Sequence, residues 1–154
     1  MTVDSVDDGV ISQDNWSLIY IDSEELVEED AAAAVNAFDG DRNTFWISEW
    51  SDSVHPHDFR IDFGDYYDIT GFRYLPRQDG SDNGRIRSYS FYTSESGIGW
   101  DLIANGTFAD SANEQEVVLS GQEETRYFRI KSIDAYDSDP WASIAEINFL
   151  GTPS

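Results

Sequence analysis

The chain contains no cysteine among its 154 residues, and only one of its nine basic residues, Lys131, is a lysine. Without thiols, neither a disulfide framework nor a thiolate metal site can brace it, and the redox compartment leaves no mark. No apolar run approaches the roughly 20 residues that span a bilayer. The start, MTVDSVDDGV, has neither the basic nor the apolar region of a secretory signal, so it is read as the cut end of something longer. Histidine is scarce, with His55 and His57 alone. There is no G-x-S-x-G elbow and no phosphate-cradling glycine loop, so the chain is expected not to be an enzyme.

What is abundant is acid: 31 aspartates and glutamates give a formal charge of −22. Such a surface repels phosphate backbones and anionic headgroups, which argues against nucleic acid and membrane as partners. Its plainest role is solubility in a salty medium, where counterions screen self-repulsion, and this suggests a marine or halophilic source. With so many carboxylates, pairs at glycosidase spacing arise by chance and carry no catalytic inference. The apolar content of 40%, with 14% aromatic, suffices for one core of ordinary size. One domain over residues 15–152 is expected, preceded by a polar, aperiodic leader or linker over 1–14.

Short β-branched and aromatic runs recur between Gly, Asp, Asn and Ser clusters: WSLIYID, DFRIDFG, ITGFRYL, SYSFYTS, EQEVVLS, RYFRIKS and SIAEINFLG. Their number and spacing predict an antiparallel all-β sandwich or barrel. In DFRIDFG, Phe59, Ile61 and Phe63 alternate with Arg60 and Asp62, the period of a half-buried strand. Only EELVEEDAAAAVNAF reads as helical, for one turn or two.

The stretch AFDGDRNTFW concentrates oxygen donors ahead of Trp46. Asp39, Asp41 and Asn43 alternate as at the start of an EF-hand loop, but Thr44 and Trp50 occupy the positions where that loop needs Gly and Glu. Either a turn held by Asx hydrogen bonds or a calcium loop built partly from carbonyls accounts for it. Taken in order, DGDRNTFW, HDFRIDFG, YLPRQDGSDNGRI, YSFYTSESGIGW, RYFRI and WASIAEINFLG resemble the discoidin or coagulation factor 5/8 type C superfamily, and most closely its family 32 carbohydrate-binding modules. The resemblance spans nearly all of residues 16–151.

That resemblance implies a β-sandwich jelly roll with a structural Ca2+ held by Asp39, Asp41, Thr44 and Glu146, completed by a carbonyl around Val35 to Ala37. A clip joining residues 39 and 146 closes about a hundred residues, where constraint of the unfolded chain is large. It further implies a glycan site at one end of the sandwich, with Glu25 as acceptor, Arg77 as donor fork, Asn83 as amide, Trp50 as aromatic wall and Trp141 or Tyr136 as a second wall. Such groups suit a sugar, which offers hydroxyls at its rim and C–H bonds on its face. Each also has a plainer role open to it: Arg77 in an ion pair, Asn83 in turn chemistry, Glu25 as surface acid. Ile47 stands where galactose-binding relatives often carry a histidine that contacts the axial hydroxyl. Another group then reaches in, or the sugar differs, or binding is lost.

The implied role is that of a secreted, extracellular, monomeric module covalently linked to a glycan-active catalytic domain, binding galactose or a related sugar. The alternative is cell-surface adhesion of the discoidin type to a protein or glycoprotein. His55 and His57 in HPHD lack a recognisable third metal ligand and are read as strand-entry residues.

Overall fold

Alternating apolar residues build a strand-dominated, two-layered structure, seen in a computed structural model that describes residues 9–27, 32–51 and 53–154. Its strands are β1 (Ser17–Ile21), β2 (Trp46–Ile47), β3 (His57–Leu75), β4 (Ser88–Ser94), β5 (Asp101–Thr107), β6 (Gln115–Ser132), β7 (Ser143–Ile144) and β8 (Glu146–Pro153). DFRIDFG and ITGFRYL prove to be one strand, β3, and EQEVVLS and RYFRIKS likewise merge into β6.

Both long strands shift register between Asp62 and Tyr67, and this break carries them from one layer to the other. Before it, β3 pairs with β1 and with the end of β6, which continues to β4 and β5; after it, β3 pairs with β8 and with the start of β6. Gly64 sits at the bend with φ of 84°, and a Cβ there would fall 2.5 Å from the Asn15 carbonyl oxygen, so only glycine fits. Between the layers Phe59, Phe63, Phe72, Phe91, Phe128 and Phe149 interlock. Phe128 of β6 meets Phe149 of β8 with centroids 4.3 Å apart, a geometry worth about 0.5–1.5 kcal/mol beyond the area buried. The architecture is the antiparallel all-β sandwich that the strand pattern predicts.

Three local expectations change. The helical segment contracts to one 3₁₀ turn, Ala34–Phe38, while its residues 28–31 lie outside the described residues. The reason is competition: Ala32 bridges to Glu25 and its carbonyl accepts the Ile47 N–H, which holds the backbone extended. β5, DLIANGT, was not anticipated, because an edge strand that is half exposed on both faces shows no alternation. Finally, packing begins before Trp16. Val10 bridges to Leu150, and Ile11 is buried with its N–H on the Phe149 carbonyl, inside the stretch expected as a leader.

Candidate functional site

The two-residue ribbon of β2 and β7 organises one end of the sandwich, pairing Trp46 with Ile144 and Ile47 with Ser143. Around it Glu25, Trp50, Trp141 and Asn83 are tied together. The Glu25 N–H donates to the Ile47 carbonyl, and its carboxylate accepts the N–H of Trp50 at 2.8 Å and of Val27 at 2.9 Å. The Trp141 indole N–H donates to the Trp50 carbonyl at 3.0 Å. The Ser143 hydroxyl donates to the Asn83 carbonyl at 2.8 Å, and Gly84 packs so tightly on Ala142 and Ser143 that a Cβ would meet them at 3.0 Å.

These residues differ in how they face solvent. Trp50 is 41% exposed and Asn83 is exposed, whereas Glu25 at 6% serves mainly to fix the Trp50 backbone. Glu24, Glu25, Leu26, Val27, Glu49 and Ser51 line a hollow of about 430 Å³ beside Trp50, within the size range of small-ligand sites. Arg77, 5% exposed, lies 4.0 Å over the Phe45 ring and forms a two-pronged pair with Asp79 at 2.6 and 3.2 Å. Tyr136 is turned away, its hydroxyl donating to the Phe108 carbonyl, and borders a different cavity with Arg87 and Asp134. Ile47 is 0% exposed, so its side chain belongs to the core.

The oxygen-rich loop follows the 3₁₀ turn and folds onto the start of β8. Glu146, 5% exposed, accepts the N–H groups of Asp39 and Gly40 on Oε2 at 3.1 and 3.0 Å, and the Gln13 amide on Oε1 at 3.2 Å. Asp39 accepts the Thr44 hydroxyl at 2.6 Å and the Asp41 N–H at 2.9 Å, while Asp41 accepts the Asn43 N–H. Burial, followed by the Asp39 carboxylate, pushes the Glu146 carboxyl up to about 7. Among the described residues no three acidic or histidine side chains converge as a metal-ligating group. A cation here would rest on the Asp39 and Glu146 carboxylates and draw its other oxygens from Thr44 and carbonyls. Such a donor set fits calcium better than a transition metal.

A third cluster escaped the sequence. His57 places Nδ1 2.7 Å from Asp22 Oδ2 and Nε2 2.7 Å from the Pro140 carbonyl, with His55 beside it at 4.7 Å between ring centroids. Ser48 Oγ lies 3.4 Å from Nε2, but Ser48 is 0% exposed, so this serine cannot reach a substrate as a nucleophile. Gln13, Phe45 and Asp79 were equally invisible; each acts by reaching a partner that no spacing rule identifies.

The F5/8 type C domain family matches residues 21–147. A sialidase of Micromonospora viridifaciens is 34% identical over 147 residues, covering 93% of this chain and 22% of the sialidase. A galactose oxidase of Gibberella zeae is 35% identical over 149 residues, covering 94% of this chain and 21% of the oxidase. The chain thus spans about a fifth of the length of these curated relatives. Among solved structures, a family 32 carbohydrate-binding module of a Clostridium perfringens family 89 glycoside hydrolase, in complex with GalNAc-β-1,3-galactose, superimposes with a TM-score of 0.84 at 26% identity, over 92% of this chain and 99% of that one. The family 32 module of C. perfringens NanJ, in complex with galactose, gives 0.78 at 26% identity, over 92% and 97%.

Proposed function

The chain belongs to the F5/8 type C domain family, and from that premise we propose that it is a non-catalytic carbohydrate-binding module that holds a linked glycan-active enzyme on galactose or a related polysaccharide. The observation that carries this reading is Trp50, an exposed ring whose backbone is gripped by buried Glu25 on one side and by the Trp141 indole on the other. A rigid aromatic face beside a carboxylate-lined hollow can take the C–H side of a sugar while Asn83 and the rim reach its hydroxyls. Arg77, paired with Asp79, acts from below by supporting the loop, and Tyr136 stays outside the contact.

Calcium at the Asp39, Asp41, Thr44 and Glu146 loop would be structural: its chemistry is to neutralise the two carboxylates and pin the loop to β8. Asp39 and Glu146 hold the loop in place, and Gly40 and Gln13 orient the Glu146 carboxylate. The chain would act outside the cell, raising the effective concentration of its catalytic partner at the glycan. The test is intrinsic fluorescence with galactose, N-acetylgalactosamine and marine polysaccharides. Affinity between about millimolar and micromolar, or −4 to −8 kcal/mol, is the expected outcome for one small open site.

Protein adhesion is the second reading, favoured by the exposed Leu26, Val27 and Val54 near the same end. Silence of Trp50 toward every glycan would turn the assignment that way.

A further inference from the structure

We propose that His57 is a cationic positioning residue, a charged clasp that holds the Pro140–Trp141 segment against Trp50, so that the binding end stays assembled only while this imidazole keeps its proton. The inference rests on the reading of Trp50 and Trp141 as the glycan-facing end. Its geometry stands independently of any ligand.

Both ring nitrogens of His57 face acceptors at 2.7 Å: a carboxylate oxygen of Asp22, just after β1, and the carbonyl oxygen of Pro140, just before β7. Neither acceptor has a proton to give. A neutral imidazole has one N–H and one bare lone pair, so it can satisfy one of these oxygens and must point a lone pair at the other. The imidazolium donates to both. The other oxygen of Asp22 accepts the Asp58 N–H at 2.8 Å, which fixes that carboxylate in place.

The surroundings decide what happens when the proton leaves. The Ser48 hydroxyl, beside β2, is 3.4 Å from Nε2 and could donate to a bare nitrogen. A deprotonated His57 would therefore turn from Pro140 toward Ser48 and keep Asp22. Pro140 immediately precedes Trp141, whose indole donates to the Trp50 carbonyl, so release of Pro140 loosens that contact.

The surrounding groups leave the charge on His57 and not on its neighbour: burial and His57 outweigh Asp134 and Asp22, which draw His55 toward the charged form. His55, from the segment entering β3, lies 4.7 Å away and bonds the Ser132 hydroxyl at 3.0 Å; Asp134, after β6, acts on His55. Burial, then the charge of His57, lowers the His55 pKa to about 4, so it stays neutral and adds no repulsion near neutral pH. For His57 burial opposes the charge, but the bonds to Asp22 and Pro140 outweigh it and the net shift is upward. A raised folded value means the clasp is fully present below the unfolded value and is lost as pH rises through the folded one.

The experiment is nitrogen-15 NMR of the ligand-free protein. Both His57 ring nitrogens should carry protons at pH 6, with a titration midpoint above the ordinary histidine value of about 6.5. The Trp141 indole N–H resonance should shift through the same interval. In His57→Gln that shift should vanish, and in Asp22→Asn both curves should move together to lower pH. A single neutral tautomer at pH 6, a midpoint below 6.5, or a Trp141 resonance indifferent to the titration would overturn the proposal. With galactose as probe, affinity should fall about three- to tenfold across the His57 midpoint, the scale of one net hydrogen bond; constant affinity while Trp141 responds would sever the clasp from binding. Absence of galactose binding at every pH, with Trp141 still following His57, would count against the glycan reading and leave the clasp intact.

Discussion

Replacing Glu146 with glutamine separates two demands on one carboxylate. In the cation-free fold, burial and then Asp39 raise its pKa from 4.5 to about 7. That displacement corresponds to about 3 kcal/mol against the charged form. Because the folded value lies above the unfolded one, the cost is absent below about 4.5, grows between 4.5 and 7, and is complete above. The chelated protein should therefore gain stability as pH falls from 8 to 5, whereas calcium binding needs the ionised carboxylate and should matter most at pH 8. Calcium at 100 times its Kd would add about 2.7 kcal/mol, roughly 5–10 °C in melting temperature for a domain of this size. Glu146→Gln removes the charge strain and also loses an acceptor facing Gln13, worth about 1–3 kcal/mol, so in EDTA the two effects nearly cancel at pH 8, whereas at pH 5 the variant is the less stable. Thermal unfolding by circular dichroism, with calcium and with EDTA at pH 5 and 8, measures all of this. Wild type should respond to calcium at pH 8 and the variant should not. Equal wild-type melting temperatures in calcium and EDTA at pH 8, or a full calcium response in the variant, would refute the reasoning.

Arg77→Ala should do more than weaken binding. It empties the space over Phe45, where the buried guanidinium packs, while the exposed Asp79 is taken up by water, so unfolding should show a loss of about 1–3 kcal/mol from packing, where a surface fork would have left the melting temperature unchanged. Tyr74→Phe should cost about 1–3 kcal/mol for each partner left unmatched, since the buried hydroxyl donates to Ser143 and accepts from Ile86; denaturant unfolding reads it. Because Ser143 pairs with Ile47, the same variant should also weaken galactose binding.

Much of the sandwich is legible in strand alternation, as DFRIDFG and SYSFYTS show, because one face of each strand must meet the aromatic core. The bend at Gly64 is not, since a register break needs only a bulge and leaves no turn cluster. Asp39 and Glu146, 107 positions apart, are in contact, the Asp39 N–H donating to the Glu146 carboxylate. Spacing alone could not have joined them. Glu25 and Arg77 are expected in the glycan site only because the resemblance implies it, and the partners that bury them, the Trp50 backbone and Asp79, become evident only in three dimensions. The His57 clasp was hidden for a similar reason: one of its two acceptors is a main-chain carbonyl, which every residue possesses.

The central claim is that the exposed face of Trp50 meets the sugar. Titration of galactose or N-acetylgalactosamine into nitrogen-15-labelled protein tests it most directly, alongside Trp50→Ala, which should leave the fold intact because the ring is 41% exposed. Shifts centred on Trp50, Asn83 and Trp141, abolished by Trp50→Ala, are the expected result. Binding that persists undiminished in Trp50→Ala would contradict the account.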